Sequence, residues 1–215
     1  MEVILVNARH IKNVPGRKTD ISDSKWLAGL LRYGLLRGSF IPPKEVRQWR
    51  ELTRLRRTYT ESLADYKRRI HKLFETANIK IDSVVSDLFG VTGRNLISLL
   101  CDESELSLEN IRANAKRGLK SKSKELLSSV QGFFEDHHRF QLIGMMEVIA
   151  SFEEKISEIT ARLDALTAGH QDLLDRLDEI PGIDKKSAQS IVSEIGVTLD
   201  EFICKETEEF VYLWS

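Results

Sequence analysis

The apolar positions of this chain change their spacing along it. "VILVN", Val3 to Asn7, is a short β-branched run that reads as one buried strand. A lone strand leaves unpaired edges, so it is expected to need partners. "NVPGRK" follows as a turn or loop through its Pro-Gly pair. From Asp20 the pattern turns helical. Trp26, Leu27, Leu30, Leu31 and Leu35 recur at three and four residues, and Gly34 and Gly38 mark the end. "SFIPP" is expected to run extended, because each proline biases its predecessor away from helix.

Two long helices dominate the remainder. The first is expected over residues 43 to 77, with Pro43 as its first residue. Trp49, Leu52, Tyr59, Leu63, Tyr66, Ile70 and Leu73 form its apolar seam, which Arg56 interrupts. The second carries Leu142, Ile149, Ile156, Leu163, His170 and Leu177 at sevens, interleaved with Met145, Phe152, Ile159, Leu166, Leu173 and Ile180. That is an unbroken coiled-coil register whose one polar member is His170, beside Gly169. Its natural partner is the 43–77 helix folded back antiparallel, or the same helix of a second subunit. Between the two, short helices are expected at Ser83 to Phe89, Thr92 to Cys101, Ser107 to Ala115 and Lys122 to Val130. The chain then reads "LDEIPGIDKKSAQSIVSEIG": a helix ending at Ile180, a tight Pro-Gly turn, and a second helix from Lys185 to Ile195.

Composition narrows the class. The chain has 215 residues and only four prolines, in keeping with long helices. No apolar run reaches the roughly 18–20 residues needed to span a bilayer. No signal peptide is visible at "MEVILVNARH", and a cytoplasmic protein without membrane contact is expected. Two distant cysteines, Cys101 and Cys204, suggest neither a disulfide framework nor a zinc site. The net charge of −1 hides an asymmetry. Residues 1–80 hold 18 Lys and Arg against 8 Asp and Glu, and the rest hold 14 against 25. One end is therefore expected to face a polyanion.

Several residues could carry chemistry. The 43–77 helix bears Arg47, Arg50, Arg54, Arg56, Arg57, Lys67, Arg68, Arg69 and Lys72, with too few carboxylates of its own to pair them all. Positive charge left over along a helix suits a nucleic-acid backbone. A solvated coiled-coil face is the plainer alternative. The Pro-Gly hairpin resembles a helix-hairpin-helix, whose backbone amides hold phosphate without reading bases. Gly182, Lys185 and Lys186 would serve there, and an ordinary helical hairpin would look the same. Asp184 stands where many such hairpins have a second glycine. The His pair in "EDHHRF" diverges on a helix and reads as surface structure rather than a metal site. Asp20 and Asp23 share a helix face, which suits either a capped helix start or a pair of Mg²⁺ ligands. On the residues alone the cap is favoured.

Taken together, "VILVNARHIKNVPGRKTDISDSKWLAGLLRYGLLRGSFIPP" closely resembles the transposases of the IS110 (IS116/IS902) insertion-sequence family. "RRIHKLFETANIKIDSVVSDLFGVTGRNLISLL" and "IPGIDKKSAQSIVSEIG" extend the resemblance. It implies a mainly α chain in three parts: the remnant of a RuvC-like, RNase H-type α/β domain at 1–42, a helical coiled-coil insertion at 43–176, and the start of a C-terminal transposase domain with a helix-hairpin-helix at 177–215. It implies DNA strand exchange as the activity and Mg²⁺ as the cofactor, held by an Asp-Glu-Asp-Asp set. Asp20 and Asp23 match the last two members of that set, which reverses the preference for a cap alone. DNA is the implied partner, with an element-encoded guide RNA for some members and a homo-oligomer built through the coiled coil. Lys18, Arg47, Arg50, Arg54, Arg57, Arg68, Arg69, Gly182, Lys185 and Lys186 are the expected nucleic-acid contacts.

The resemblance also sets an expectation of incompleteness. The first Asp and the Glu belong upstream of Met1. The nucleophilic serine belongs beyond "FVYLWS", after Trp214, and Ser215 itself lacks the setting of a nucleophile. The expected protein is a truncated or decayed copy, inactive alone, that keeps the nucleic-acid-binding and assembly middle. The alternative is a non-catalytic coiled-coil protein that binds nucleic acid or regulates.

Overall fold

An apolar residue at every third or fourth position gives a helix one face to bury, and the segment from Asp20 is helical, burying Leu30 while Leu31 and Leu35 stay exposed. The structure, a computed structural model, describes residues 5–6, 20–36, 41–102 and 105–197, and of residues 20–23 the backbone alone. Helix α1 is Asp20–Arg32. It ends where Gly34 takes a left-handed φ of 67° and the Leu35 N–H donates to the Leu30 carbonyl at 2.9 Å. This is the glycine closure expected from the sequence. The strand expected at Val3 to Asn7 falls largely outside the described residues, as does Gly38. Among the described residues the chain is mainly helical and has no strand.

Helix α2 is Lys44–Thr76. Pro43 stands just before it, its carbonyl accepting from the Arg47 N–H at 3.1 Å. The helix closes on Asn78, one of the few residue types that tolerates a left-handed φ, here 54°, with the Ile79 N–H reaching the Phe74 carbonyl at 2.8 Å. The chain divides into two compact units, Leu52–Ala165 and the combination of 1–51 with 166–215.

In the first unit, α2 meets α3 (Val91–Cys101), α4 (Leu108–Asn114), α5 (Ser123–Val130) and α6 (Asp136–Thr167). Ile70, Phe74, Ile97, Ile111, Leu126 and Leu142 belong to one buried core. The two long helices run antiparallel, one of the two arrangements the sequence allows. Tyr59 and Tyr66 both pack on Phe152, with ring centroids 5.7 and 6.0 Å away, while Phe74 near the end of α2 meets Phe134 just before α6. Leu142, Ile149 and Leu163 are fully buried along α6. Arg56 interrupts the seam as expected and is only 5% exposed. A buried guanidinium persists only where partners hold it, and Arg56 is not without them.

Two expectations in this unit need correction. Ser83 to Phe89 is not a helix: a short 3₁₀ turn, Ile81–Ser83, gives way to irregular chain. Its apolar residues Ile81, Val85 and Leu88 reach the core from that irregular path, so tertiary burial overrides the local pattern. The helix expected from Lys122 starts at Ser123, preceded by a 3₁₀ turn over Arg117–Lys122. Ser107 caps α4, its hydroxyl accepting from the Asn110 N–H.

In the second unit the long register breaks. Helix α6 stops at Thr167, a 3₁₀ turn covers Ala168–His170, and α7 is Gln171–Asp178. Gly169 weakens the α-helix at this point. A 3₁₀ turn advances about 120° per residue against about 100° for an α-helix, so three residues shift the face by about 60°. Leu174 is consequently the buried residue of α7, Leu173 and Leu177 are half-buried, and Ile180 is 46% exposed. The register was expected to run unbroken to Ile180. Helix α8, Lys185–Ile195, has its expected bounds and packs on α7.

Candidate nucleic-acid interface and carboxylate pair

The carboxylate pair begins with backbone geometry. Asp20 and Asp23 lie in the first turn of α1, so they share one face about 4.5 Å apart along the axis. Their side chains are outside the description. Two aspartates offer the hard oxygens that Mg²⁺ takes, and that ion needs only one or two carboxylates, with water and substrate phosphates filling the rest. The donor chemistry therefore fits the ion. Among the described residues, no group of three or more His, Cys, Asp or Glu comes together as a metal site.

The hairpin between α7 and α8 is built by its sequence. Pro181 fixes φ and Gly182 supplies a φ of +91°, while the Ile183 N–H donates to the Ile180 carbonyl at 3.0 Å. These are the requirements of a type II turn. Asp184, in place of a second glycine, caps α8 through an acceptance from the Ser187 N–H at 2.8 Å. Hydrogen bonds from Ser187 and the nearby Lys186 hold its carboxyl below the ordinary carboxylate range. The acid thus already has an intramolecular task. Lys185 and Lys186 are exposed beside it, neither of them without an interaction.

At the other end of α8, Arg50 acts as a clamp. Its Nε donates to the Ser193 carbonyl at 3.0 Å and its Nη2 to the Glu194 carbonyl at 2.9 Å, with the Glu194 carboxylate 3.2 Å away. A guanidinium at a helix C-terminus meets both the unpaired carbonyls and the negative dipole end. Trp49 beside it is buried with its indole N–H unpartnered, edge-on to His170 at 5.2 Å. Gln189 is buried against Thr167.

The basic residues of α2 separate into groups. Arg50 is engaged as described. Arg57 pairs with Glu61, Arg68 with Asp65, and Lys67 with Glu153. Glu153 also binds Arg94 at 2.5 Å. The charge expected to be left over is therefore smaller than the sequence suggests, since carboxylates from other helices join in. Arg47 and Lys72 remain exposed with no ion pair among the described residues. Arg54 is exposed and has an interaction. Arg69 lies over the Tyr66 ring at 5.1 Å. Together with Lys72 and the 81% exposed Phe140, these two line a shallow groove of about 830 Å³. Cations beside the exposed Phe140 and the half-buried Tyr66 suit nucleic acid.

The His pair serves structure: Glu135 N–H donates to His138 Nδ1 at 3.1 Å, which satisfies the start of α6. Lys18, Trp214 and Ser215 lie outside the described residues. One basic stretch, residues 116–124, escaped attention in the sequence because it sits in a punctuated region between short helices. Its signal was five basic residues in nine with no acid.

Residues 1–79 match the family model described as transposase, of the DEDD IS110 type. The match covers both aspartates and the whole of α2. No curated protein and no solved structure matches the chain.

Proposed function

We propose that this chain, whose residues 1–79 match the family model of IS110-type DEDD transposases, serves in DNA transposition by holding nucleic acid along its helices. Asp20 and Asp23 act as two of its Mg²⁺ ligands. The matched segment carries this reading, because it contains the aspartate pair and the basic face of α2 in one piece. On this reading residues 1–42 belong to a RuvC-like domain, 43–176 to a helical coiled-coil region through which copies associate, and 177–215 to a domain opened by a helix-hairpin-helix. The bound metal would supply Lewis-acid stabilisation to a phosphodiester. The chain's own part is to present two carboxylates one turn apart on α1 and to position the nucleic acid.

Positioning falls to groups that read no bases. Arg47, Arg54, Arg69 and Lys72 offer charge to phosphates, and Tyr66 and Phe140 offer faces to unpaired bases. Arg57 and Arg68 sit in exposed ion pairs, which are weak and can be exchanged for a phosphate. Gly182, Lys185 and Lys186 hold a second stretch of backbone at the hairpin. DNA is the first partner, and a structured RNA made by the element is the second.

The test is binding of labelled duplex DNA against salt. Steep weakening is expected, with log affinity linear in log salt. Changing Arg47, Arg69 and Lys72 to Gln should flatten the slope by about 2–3. A shallow slope in the unaltered chain would instead favour a regulatory helical protein. Calorimetry of Mg²⁺ with and without Asp20→Asn and Asp23→Asn addresses the metal pair separately.

A further inference from the structure

From Asn110 to Lys124 the chain holds six basic residues and no acid. Five of them, Lys116, Arg117, Lys120, Lys122 and Lys124, crowd into the 3₁₀ turn Arg117–Lys122 and its two flanks. All five are exposed, and none has an ion pair among the described residues. This contrasts with α2, where Arg50, Arg57, Lys67 and Arg68 are ion-paired.

The turn is pinned rather than loose. The Lys116 N–H donates to Thr92 Oγ1 at 3.0 Å, and the Leu119 N–H donates to the Lys116 carbonyl at 2.8 Å. Leu119 packs against the apolar core, and the Ser123 hydroxyl donates to the Lys120 carbonyl. Residues three apart in a 3₁₀ turn eclipse one another, so Arg117 and Lys120 form a column rising about 6 Å. Lys122 precedes α5 and Lys124 lies in its first turn, where the helix dipole disfavours cations. The arrangement therefore does not serve helix stability.

We propose that the turn Lys116–Lys124 is a further, separate site for the phosphate backbone of a nucleic acid, built on α3, α4 and α5 rather than on α2 or the hairpin. The class follows from the chemistry. Five bare cations on a rigid turn attract a polyanion by counterion release. A membrane surface fits less well, because the one apolar side chain of the turn, Leu119, is directed into the core and no apolar face accompanies the charge. The inference rests on the nucleic-acid reading above but concerns residues outside the matched segment.

The experiment measures the 215-residue chain against a 30-base-pair duplex DNA and a hairpin RNA over a salt series. It compares the unaltered chain, the variant Lys120→Gln/Lys122→Gln/Lys124→Gln, and the Arg47→Gln/Arg69→Gln/Lys72→Gln variant. Circular dichroism confirms that each variant keeps its helices. The turn variant is expected to lose about tenfold in affinity and to flatten the salt slope by about 2–3. Changing the same three residues to Arg should keep the slope. Whichever nucleic acid shows the larger loss identifies the source of the phosphates. Steep binding by the unaltered chain that the turn variant leaves unchanged would overturn this site while the α2 reading stands. No binding of either nucleic acid would overturn both. So would turn-dependent binding to anionic phosphatidylserine vesicles without binding to nucleic acid.

Discussion

Asp184 illustrates how one residue can carry a task its type does not announce. In the sequence it places a negative charge where a phosphate is expected. In the structure its carboxylate is engaged at the start of α8 by the Ser187 N–H at 2.8 Å. Because its carboxyl is held low by Ser187, the cap contributes at neutral pH and is lost as the pH falls below about 3.9 toward the depressed value. Asp184→Ala should speed hydrogen exchange at the Ser187 amide relative to the unaltered chain, Asp184→Asn should largely preserve protection, and the difference between the unaltered chain and Asp184→Ala should shrink in acid. Gly93 shows the opposite case, a role invisible without the fold. A Cβ there would stand 2.0 Å from the Leu88 carbonyl oxygen, so the backbone of the preceding loop occupies the space. Gly93→Ala should destabilise the protein by about 1–3 kcal/mol, read by urea unfolding.

At the scale of elements, α6 answers to its sequence pattern and the segments around it do not. Leu163 is fully buried, and Leu163→Ala should cost about 2–5 kcal/mol. Gly144 sits inside the same helix with open space where a Cβ would go. Gly144→Ala should stabilise by about 0.5–1 kcal/mol, seen as a higher denaturation midpoint. The heptad pattern places Leu142, Ile149 and Leu163 correctly because a regular helix carries its own period. It misplaces the burial of α7, because the 3₁₀ turn at Ala168–His170 rotates the face and no heptad count registers that rotation. The segment 83–89 fails as a helix for a related reason: its apolar residues are recruited by a core formed from distant helices.

For the whole chain, charge is the property most readable from composition and most redistributed by folding. Residues 1–80 carry +10 and the remainder −11, so opposite regions of different copies attract at low ionic strength. Light scattering should show association in about 20 mM salt that dissolves above about 300 mM, where the Debye length falls to about 5–6 Å. Which cations face solvent is a separate matter. Glu153 lies 59 residues from Arg94 and neutralises it, and Glu194 engages Arg50 from 144 residues away. No local count of acids along α2 or α3 could anticipate those pairs.

The sequence by itself determined the helical character, the bounds of α3 and α4 to within a residue, the bounds of α8 and the closure of α1 at Gly34, and it offered the antiparallel pairing of α2 with α6 as one of two arrangements. Each depends on short-range spacing or on one residue's backbone preference. It also carried the transposase resemblance, which the match over residues 1–79 bears out. Tertiary structure alone decided that Arg50 clamps α8 and that Gly93 must lack a side chain. It also decided that the bare cations stand at residues 116–124. The Arg50 clamp depends on groups 143 and 144 residues apart coming within hydrogen-bonding distance, Gly93 on the path of the loop just before it, and the bareness of the 116–124 cations on which distant carboxylates approach them; chain spacing encodes none of these.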